Sequence, residues 1–343
     1  MTRTYATLDF NFLERLTQGF GPSGSEEGIT EFITDEIRPY CDEIFSDTLG
    51  NLIAVKNGTG KKIMIAAHMD EIGIMITHID EDGFLRFTTI GGVHVTELPH
   101  RRVRFKNDRL GTIGVEKLDK PSDLKLEKLY IDIGASARTG AKEWVEVGDT
   151  AVFAGEFEQS GKRFISKAMD DRIGCFVAIE ALKRTKSTYH LAFVFTVQEE
   201  VGLRGAQTAA YALDPDLALA VDVTLTGDTP KAHRMEVKLG QGAAIKVYDR
   251  SMVTSPKIKR WMAEVAAREN IPYQWEVLEA GGTDSGAIHL TKGGIPAGVI
   301  SIPARYVHSP AEMVDGEDVA AAIDLLAALL EDGGPELLDN GNI

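Results

Sequence analysis

The chain reads as an α/β protein split by a β-rich insert, with residues 1–70 and 163–343 flanking residues 71–162. Three observations predict this. Apolar runs of strand length at Lys61–Ala67, Leu191–Val197, Asp216–Val223 and Pro296–Ile302 alternate with segments of helical period. Between Glu71 and about Gly161 the helical period disappears, and glycine-punctuated alternation takes its place. From Phe164 onward the alternation of strand and helix returns.

The elements follow in order. Leu8–Leu16 has helical spacing, and the loop Gly19–Ser25 ends it. Ser25 with Glu26 and Glu27 starts a second helix, whose apolar positions Ile29, Phe32, Ile33 and Ile37 run until Pro39. Ile44–Val55 holds two short strands around the turn Thr48–Asn51, and the buried strand after it ends in His68-Met69-Asp70. Within the insert, strands are predicted at Ile72–Ile79, Phe84–Ile90, Arg101–Phe105, Thr112–Val115 and Thr150–Phe157. The charged stretch Lys117–Lys128, with Pro121, predicts a mobile surface loop. Asp170 opens a helix carried by Ile173, Phe176, Val177 and Leu182. The Leu191 strand then runs straight into Glu199 and Glu200, and Gly205–Leu213 is a short helix. Asp222 stands at the end of the next strand. Thr254–Lys257 caps a helix reaching Glu269, with Pro256 in its first turn. Tyr273–Val277 is a strand, and Gly281–Gly286 is a loop into a short helix. The strand Pro296–Ile302 leads to Arg305–Pro310, and Gly316–Leu330 is an amphipathic final helix.

Composition narrows the function. The 37 basic and 52 acidic residues of the 343 give −15, which argues against nucleic acid and against anionic membranes as partners. Cys41 and Cys175 stand far apart, so no disulfide framework is implied, and a reducing cytoplasm fits best. Met1–Phe10 lacks the apolar core of a signal peptide, and no run has the length of a membrane span.

Chemistry is expected where the buried strands end, because open α/β sheets bind ligands at the carboxyl ends of their strands. His68 and Asp70 follow the first such strand, Glu199 and Glu200 the second, Asp222 the third and His308 the last, with Asp170 at a helix start between them. Two histidines and several carboxylates form a donor set for zinc-like ions. His68, Asp170, Glu200, Asp222 and His308 make five donors, enough for two ions if one carboxylate bridges. Asp70, two residues beyond His68, could take that ring's other proton and fix its tautomer. Glu199 is the extra carboxylate beside a ligand, placed to accept a proton from an activated water.

His68-Met-Asp-Glu-Ile-Gly73, Ala168-Met-Asp-Asp-Arg-Ile-Gly174, Val197-Gln-Glu-Glu-Val-Gly-Leu-Arg-Gly205, Val221-Asp222 and Tyr306-Val-His-Ser-Pro310 resemble, in order, the motifs of the TET-type and glutamyl aminopeptidases, the forty-second family of metallopeptidases. Lys238–Gly242 and Gly281–Asp284 resemble family signatures too. The resemblance implies a three-layer α/β/α zinc-peptidase core with a mixed sheet, and a small PDZ-like or barrel-like β-insert. It implies two divalent ions per subunit, zinc or cobalt. His68, Asp170 and Asp222 would hold one ion and Glu200 and His308 the other, with Asp170 bridging. Glu199 would be the general base and Asp70 the carboxylate supporting His68. The activity implied is removal of N-terminal residues from short peptides by metal-activated water. The implied assembly is a homo-oligomer, dimers building a tetrahedral dodecamer, with the insert serving assembly or access.

Other readings have weight. A di-metal deacylase acting on blocked amino acids or peptides would use the same donors. A non-catalytic assembly protein would have lost one of them, and none is lost. A carboxylate-pair glycosidase has no use for histidine ligands. His78, His94, His100, His190, His233 and His289 read as ordinary histidines, Asp171 as structural and Cys175 as a small buried residue. Acidic-substrate specificity would require a basic pocket, for which Arg305, Arg250 and Lys246 are candidates.

Overall fold

The computed structural model describes residues 5–334, so Met1–Thr4 of the stretch read for a signal peptide lie outside the described residues. Helix α1 (Phe10–Gln18) is capped by the Asp9 carboxylate, which accepts the Phe12 N–H at 3.0 Å. Helix α2 (Glu27–Ile37) starts without a side-chain cap. Glu26 reaches elsewhere, accepting the N–H groups of Gly24 at 2.8 Å and Gln198 at 3.1 Å. Strands β1 (Glu43–Ser46), β2 (Leu52–Lys56) and β3 (Lys62–His68) follow.

The insert holds β4 (Gly73–Ile79), β5 (Leu85–Ile90), β6 (Arg102–Phe105), β7 (Leu110–Val115), β8 (Leu129–Asp132), the short helix α3 (Arg138–Ala141) and β9 (Thr150–Phe153). These strands close into a barrel in the order β4-β5-β8-β7-β6-β9, every pair antiparallel. Ile74, Leu85, Val103, Ile113 and Ile131 fill its interior. Closure removes the free edges that so small a sheet would otherwise expose. The predicted Thr150–Phe157 strand stops at Phe153, and Lys117–Lys128 contains two 3₁₀ turns, Pro121–Asp123 and Leu126–Lys128.

After the barrel come β10 (Glu158–Ser160), β11 (Arg163–Ser166), α4 (Met169–Arg184), β12 (His190–Thr196), α5 (Arg204–Leu213), β13 (Leu217–Thr224) and β14 (Ala243–Tyr248). Then follow α6 (Pro256–Arg268), β15 (Tyr273–Val277), α7 (Asp284–Ile288), β16 (Ala297–Arg305), β17 (Glu312–Asp315) and α8 (Gly316–Asp332). The eleven-stranded sheet runs β1-β2-β12-β3-β13-β16-β17-β11-β10, and β14 and β15 branch from β16. Its centre, β12, β3, β13 and β16, is parallel, and its margins are mixed. Helices α4, α6 and α8 cover one face and α5 and α7 the other, giving three layers. Every residue of β13 is buried, as expected of a strand covered on both faces. Each fully buried Leu or Val side chain there contributes roughly 1.5–3 kcal/mol. β10 falls inside residues 71–162 but pairs with β11 in the large sheet.

Buried charge joins barrel to sheet. Both Glu71 carboxylate oxygens accept from Lys167 Nζ, at 2.7 and 2.9 Å. Arg172, fully buried, lies 3.5 Å from Glu71 and donates to the Leu16 carbonyl at 2.8 Å. A buried pair with one partner removed leaves an uncompensated charge, so losing either partner of this joint would be destabilising.

Candidate metal centre

The four central parallel strands end on the same edge of the sheet, and their polar residues gather there. His68 is the last residue of β3 and pairs with Thr196, the last of β12. Asp222 lies near the end of β13, opposite Ser301 of β16. Glu199 and Glu200 follow β12, and His308 follows β16. Asp170 stands in the first turn of α4, where the Asp170–Asp171 peptide is cis. Three residues of these loops, Ala168, Gln198 and His308, have left-handed backbones at φ +53°, +55° and +62°. Non-glycine residues adopt that conformation at a cost of about 1–3 kcal/mol, and such strain clusters at functional sites.

The five predicted donors converge. Asp170 lies between two imidazoles, Oδ1 at 3.0 Å from His68 Nε2 and Oδ2 at 3.2 Å from His308 Nε2. His68 Nε2 is also 3.8 Å from Glu199 Oε2 and 4.0 Å from Asp222 Oδ1. His308 Nε2 is 3.3 Å from Glu200 Oε2. Two groups able to hold a metal ion result, His68–Glu199–Asp222 and Asp170–Glu200–His308, the donor atoms of each within 4.8 Å of one another. Glu199 thus lies as close to the first group as a ligand would. Nitrogen and oxygen donors of this kind suit zinc-like ions. Glu200 Oε1 is buried with no hydrogen-bond partner among the described residues, a group that a cation would satisfy. The residues therefore fit a pair of divalent ions.

Neighbours fix the rings. His68 Nδ1 faces two Asp70 atoms, the backbone carbonyl at 3.2 Å and carboxylate Oδ1 at 3.4 Å, leaving Nε2 to the site. Asp70 also accepts Ser23 Oγ at 2.6 Å and the N–H groups of Glu199 at 3.0 Å and Glu200 at 3.3 Å. It therefore ties β3 to the loop carrying both glutamates. His308 Nδ1 lies 2.9 Å from the Gly92 carbonyl, so the barrel orients the second ring. A Cβ on Gly92 would come within 2.8 Å of that Nδ1.

Crowding of like charge sets the electrostatics. Burial, then the charges of Asp222, Glu200 and Asp284, raise Glu199 well above the usual carboxylate range despite His68. Burial pushes Glu200 up to about 8 and raises Asp222 well above its ordinary value. Burial opposes ionisation of Asp170 too, but the His308 and His68 hydrogen bonds outweigh it and hold that carboxyl well below the usual range. His308, disfavoured as a cation by burial, is pushed up to about 11 by its bond to Asp170. Protons held by such a cluster are those that a dication displaces.

Sequence reasoning missed Glu312. Its buried carboxylate accepts the His308 N–H at 2.7 Å and the Asp170 N–H at 2.9 Å, setting two donors at once. Its strand is too short to declare itself, and only its spacing of four from His308 hinted at it. Asp284 is buried, accepts from Thr196 Oγ1 at 2.5 Å and has no partner for Oδ1 among the described residues. His94, read as ordinary, lines the cavity of about 600 Å³ that contains both donor groups, as do Gly281 and Gly282. Asp171 accepts the Gly174 N–H and belongs to neither group. Cys175 is buried, its thiol donating to the His68 carbonyl. Lys246 is buried against Glu276 and Asp249, outside that cavity.

The family profile of the M42 glutamyl aminopeptidases matches residues 50–325. The chain is similar to an Acetivibrio thermocellus protein provisionally named an aminopeptidase, at 56% identity over 319 residues, 92% of this chain and 97% of the relative. It superposes on aminopeptidase APDkam598 of Desulfurococcus kamchatkensis with a TM-score of 0.93 at 40% identity, covering 97% of each chain. Against the TET1 peptidase of Pyrococcus horikoshii, which can assemble into a tetrahedron or a large octahedral shell, the TM-score is 0.85 at 34% identity, covering 93% of this chain and 98% of that one. With histidines and carboxylates gathered at its strand ends, and with likeness to these proteins along almost its whole length, the chain belongs to the M42 glutamyl aminopeptidase family and is a peptide-bond hydrolase.

Proposed function

We propose that the chain removes N-terminal residues from short peptides at a centre of two divalent ions, zinc or cobalt. His68, Asp170 and Asp222 would hold one ion and Glu200 and His308 the other, with Asp170 shared between them. The observation that carries this reading is the placement of Asp170 between two imidazoles, one carboxylate oxygen toward each. When bound, such ions supply Lewis acidity, lowering the pKa of a water and polarising the scissile carbonyl. Glu199, within reach of the His68 group, takes the proton of the attacking water and delivers it to the leaving amine. Asp70 holds the His68 ring in its working tautomer.

The Glu199→Gln variant should lose about 10²–10⁴-fold in kcat, while elemental analysis still finds two metals per chain. Near-normal turnover would remove Glu199 from this role. Aminoacyl-p-nitroanilides with N-acetylated controls separate this reading from the deacylase, since only a deacylase cleaves the blocked compounds.

Likeness to the TET1 peptidase, seen as a dodecamer and able to form a tetrahedron or a large octahedral shell, supports self-assembly, and we propose a tetrahedral dodecamer built from dimers. The insert, residues 71–162, then serves assembly and access. Light scattering of the purified chain gives the subunit count. No helix among the described residues is long and apolar enough to cross a membrane, and both cysteines are free, which supports a cytoplasmic setting.

A further inference from the structure

Where β12 ends, the chain has to leave the sheet and deliver two consecutive carboxylates to two different donor groups, Glu199 to that of His68 and Glu200 to that of His308. Four backbone N–H groups in a row steer this turn, and each donates to a side chain from another segment. Val197 donates to Asn51 Oδ1 at 3.1 Å and Gln198 to Glu26 Oε1 at 3.1 Å. Glu199 donates to Asp70 Oδ1 at 3.0 Å and Glu200 to Asp70 Oδ2 at 3.3 Å. Asn51 precedes β2, Glu26 precedes α2 and Asp70 follows β3, and all three are buried. A turn whose donors are matched one by one to such acceptors has few other shapes open to it.

The acceptors are themselves fixed. Asn51 Nδ2 donates to Asp47 Oδ2 at 2.7 Å and to the Gly205 carbonyl at 3.0 Å, which turns Oδ1 toward Val197. A Cβ on Gly205 would collide with that Oδ1. Glu26 Oε1 also accepts the Gly24 N–H at 2.8 Å. Glu26 stands at the N-cap position of α2, yet its side chain makes no cap there. Its carboxylate serves the turn instead. The residue that it holds, Gln198, has a left-handed backbone and comes directly before Glu199.

We propose that Glu26 is a positioning residue for hydrolysis: through the Gln198 N–H it holds the left-handed turn that aims the Glu199 carboxylate. The proposal rests on Glu199 being the general base. Glu26 acts through the direction in which the backbone enters Glu199. Reach rather than charge is what the turn requires, because a neutral amide oxygen accepts an N–H as well.

Reach and charge can be separated. Glu26→Gln keeps an oxygen in place and loses the charge, whereas Glu26→Asp keeps the charge and withdraws the oxygen by one methylene. On the metal-loaded enzyme, with its best aminoacyl-p-nitroanilide, Glu26→Asp should lose about 10–100-fold in kcat with KM within about twofold. Glu26→Gln should stay within about threefold of wild type in both. Elemental analysis should find two metals per chain in each variant, because Asp70 still holds the Glu199 and Glu200 N–H groups. If Glu26→Asp folds poorly, Glu26→Ala withdraws the acceptor without leaving a misplaced charge, and the same loss is expected. In the Glu199→Gln background the same substitution should change the residual rate by less than about twofold, since aiming a base has no effect once the base is gone. Crystals of Glu26→Asp give a readout apart from rate: Gln198 should leave the left-handed region, and Glu199 Oε2 should shift from its place 3.8 Å from His68 Nε2. A normal kcat, a rise in KM in place of the fall in kcat, loss of metal, an unmoved turn, or the full loss recurring in the Glu199→Gln background would each overturn the proposal. Near-normal turnover by Glu199→Gln alone would instead remove the base, so the two failures are told apart.

Discussion

Asp228 shows how much one half-buried pairing sets the behaviour of its surroundings. Burial works against its charge, but the Arg305 hydrogen bonds, Thr226 and the Leu239 N–H outweigh burial and hold its carboxyl down to about 2. Its folded value lies below the unfolded value of about 4. The pairing therefore adds stability that is present above about pH 4 and lost as pH falls toward 2. Thermal melts at stepped pH should show the wild type losing more between pH 4 and pH 2 than Asp228→Asn does. Parallel curves would mean that the pairing adds nothing. Lys246 teaches a related lesson. From sequence it was a candidate for a substrate pocket, yet it serves Glu276 and Asp249 inside the core. A lysine code carries no sign of what faces it, whereas the donors at strand ends were legible because a buried apolar run led straight into each.

At the scale of elements, the turn after β5 is where the barrel meets the centre. A methyl on Gly92 would press the His308 ring whose Nδ1 faces the Gly92 carbonyl. Gly92→Ala should therefore weaken metal retention about 10–100-fold, read by chelator competition, with little change in circular dichroism. Unchanged retention would mean that the turn yields freely. This dependence was invisible in the sequence, because Gly92 and His308 lie 216 residues apart and neither motif mentions the other. The strands that sequence revealed most plainly, β3, β12, β13 and β16, are long and buried. Those it missed, β8, β10, β11, β14 and β17, are mostly short pieces without a clean period. Their pairing is decided by distant partners, as where β11 lies against β17. Glu312 was lost with β17, and one clamp of the centre went unread.

For the whole molecule, the centre draws on segments from β3 to β17, so metal and fold are linked. Without ions, buried carboxylates face one another with only two imidazoles between them. Chelator-stripped protein should melt lower, and adding zinc or cobalt at about a thousandfold over Kd should restore roughly 4 kcal/mol for each ion bound. A melting temperature indifferent to both ions would contradict a metal centre at these residues. The His308–Gly92 contact has one more consequence. The barrel is tied to the rest of the chain at several points, Glu71 to Lys167, Arg104 to the Gln18 carbonyl and Thr150 to Ser25 among them, and at Gly92 it also meets a donor of the centre. A displacement of the barrel that moves Gly92 would therefore move the hydrogen-bond partner of that ring. Any coupling between ion occupancy and barrel position at that contact would act equally in both directions.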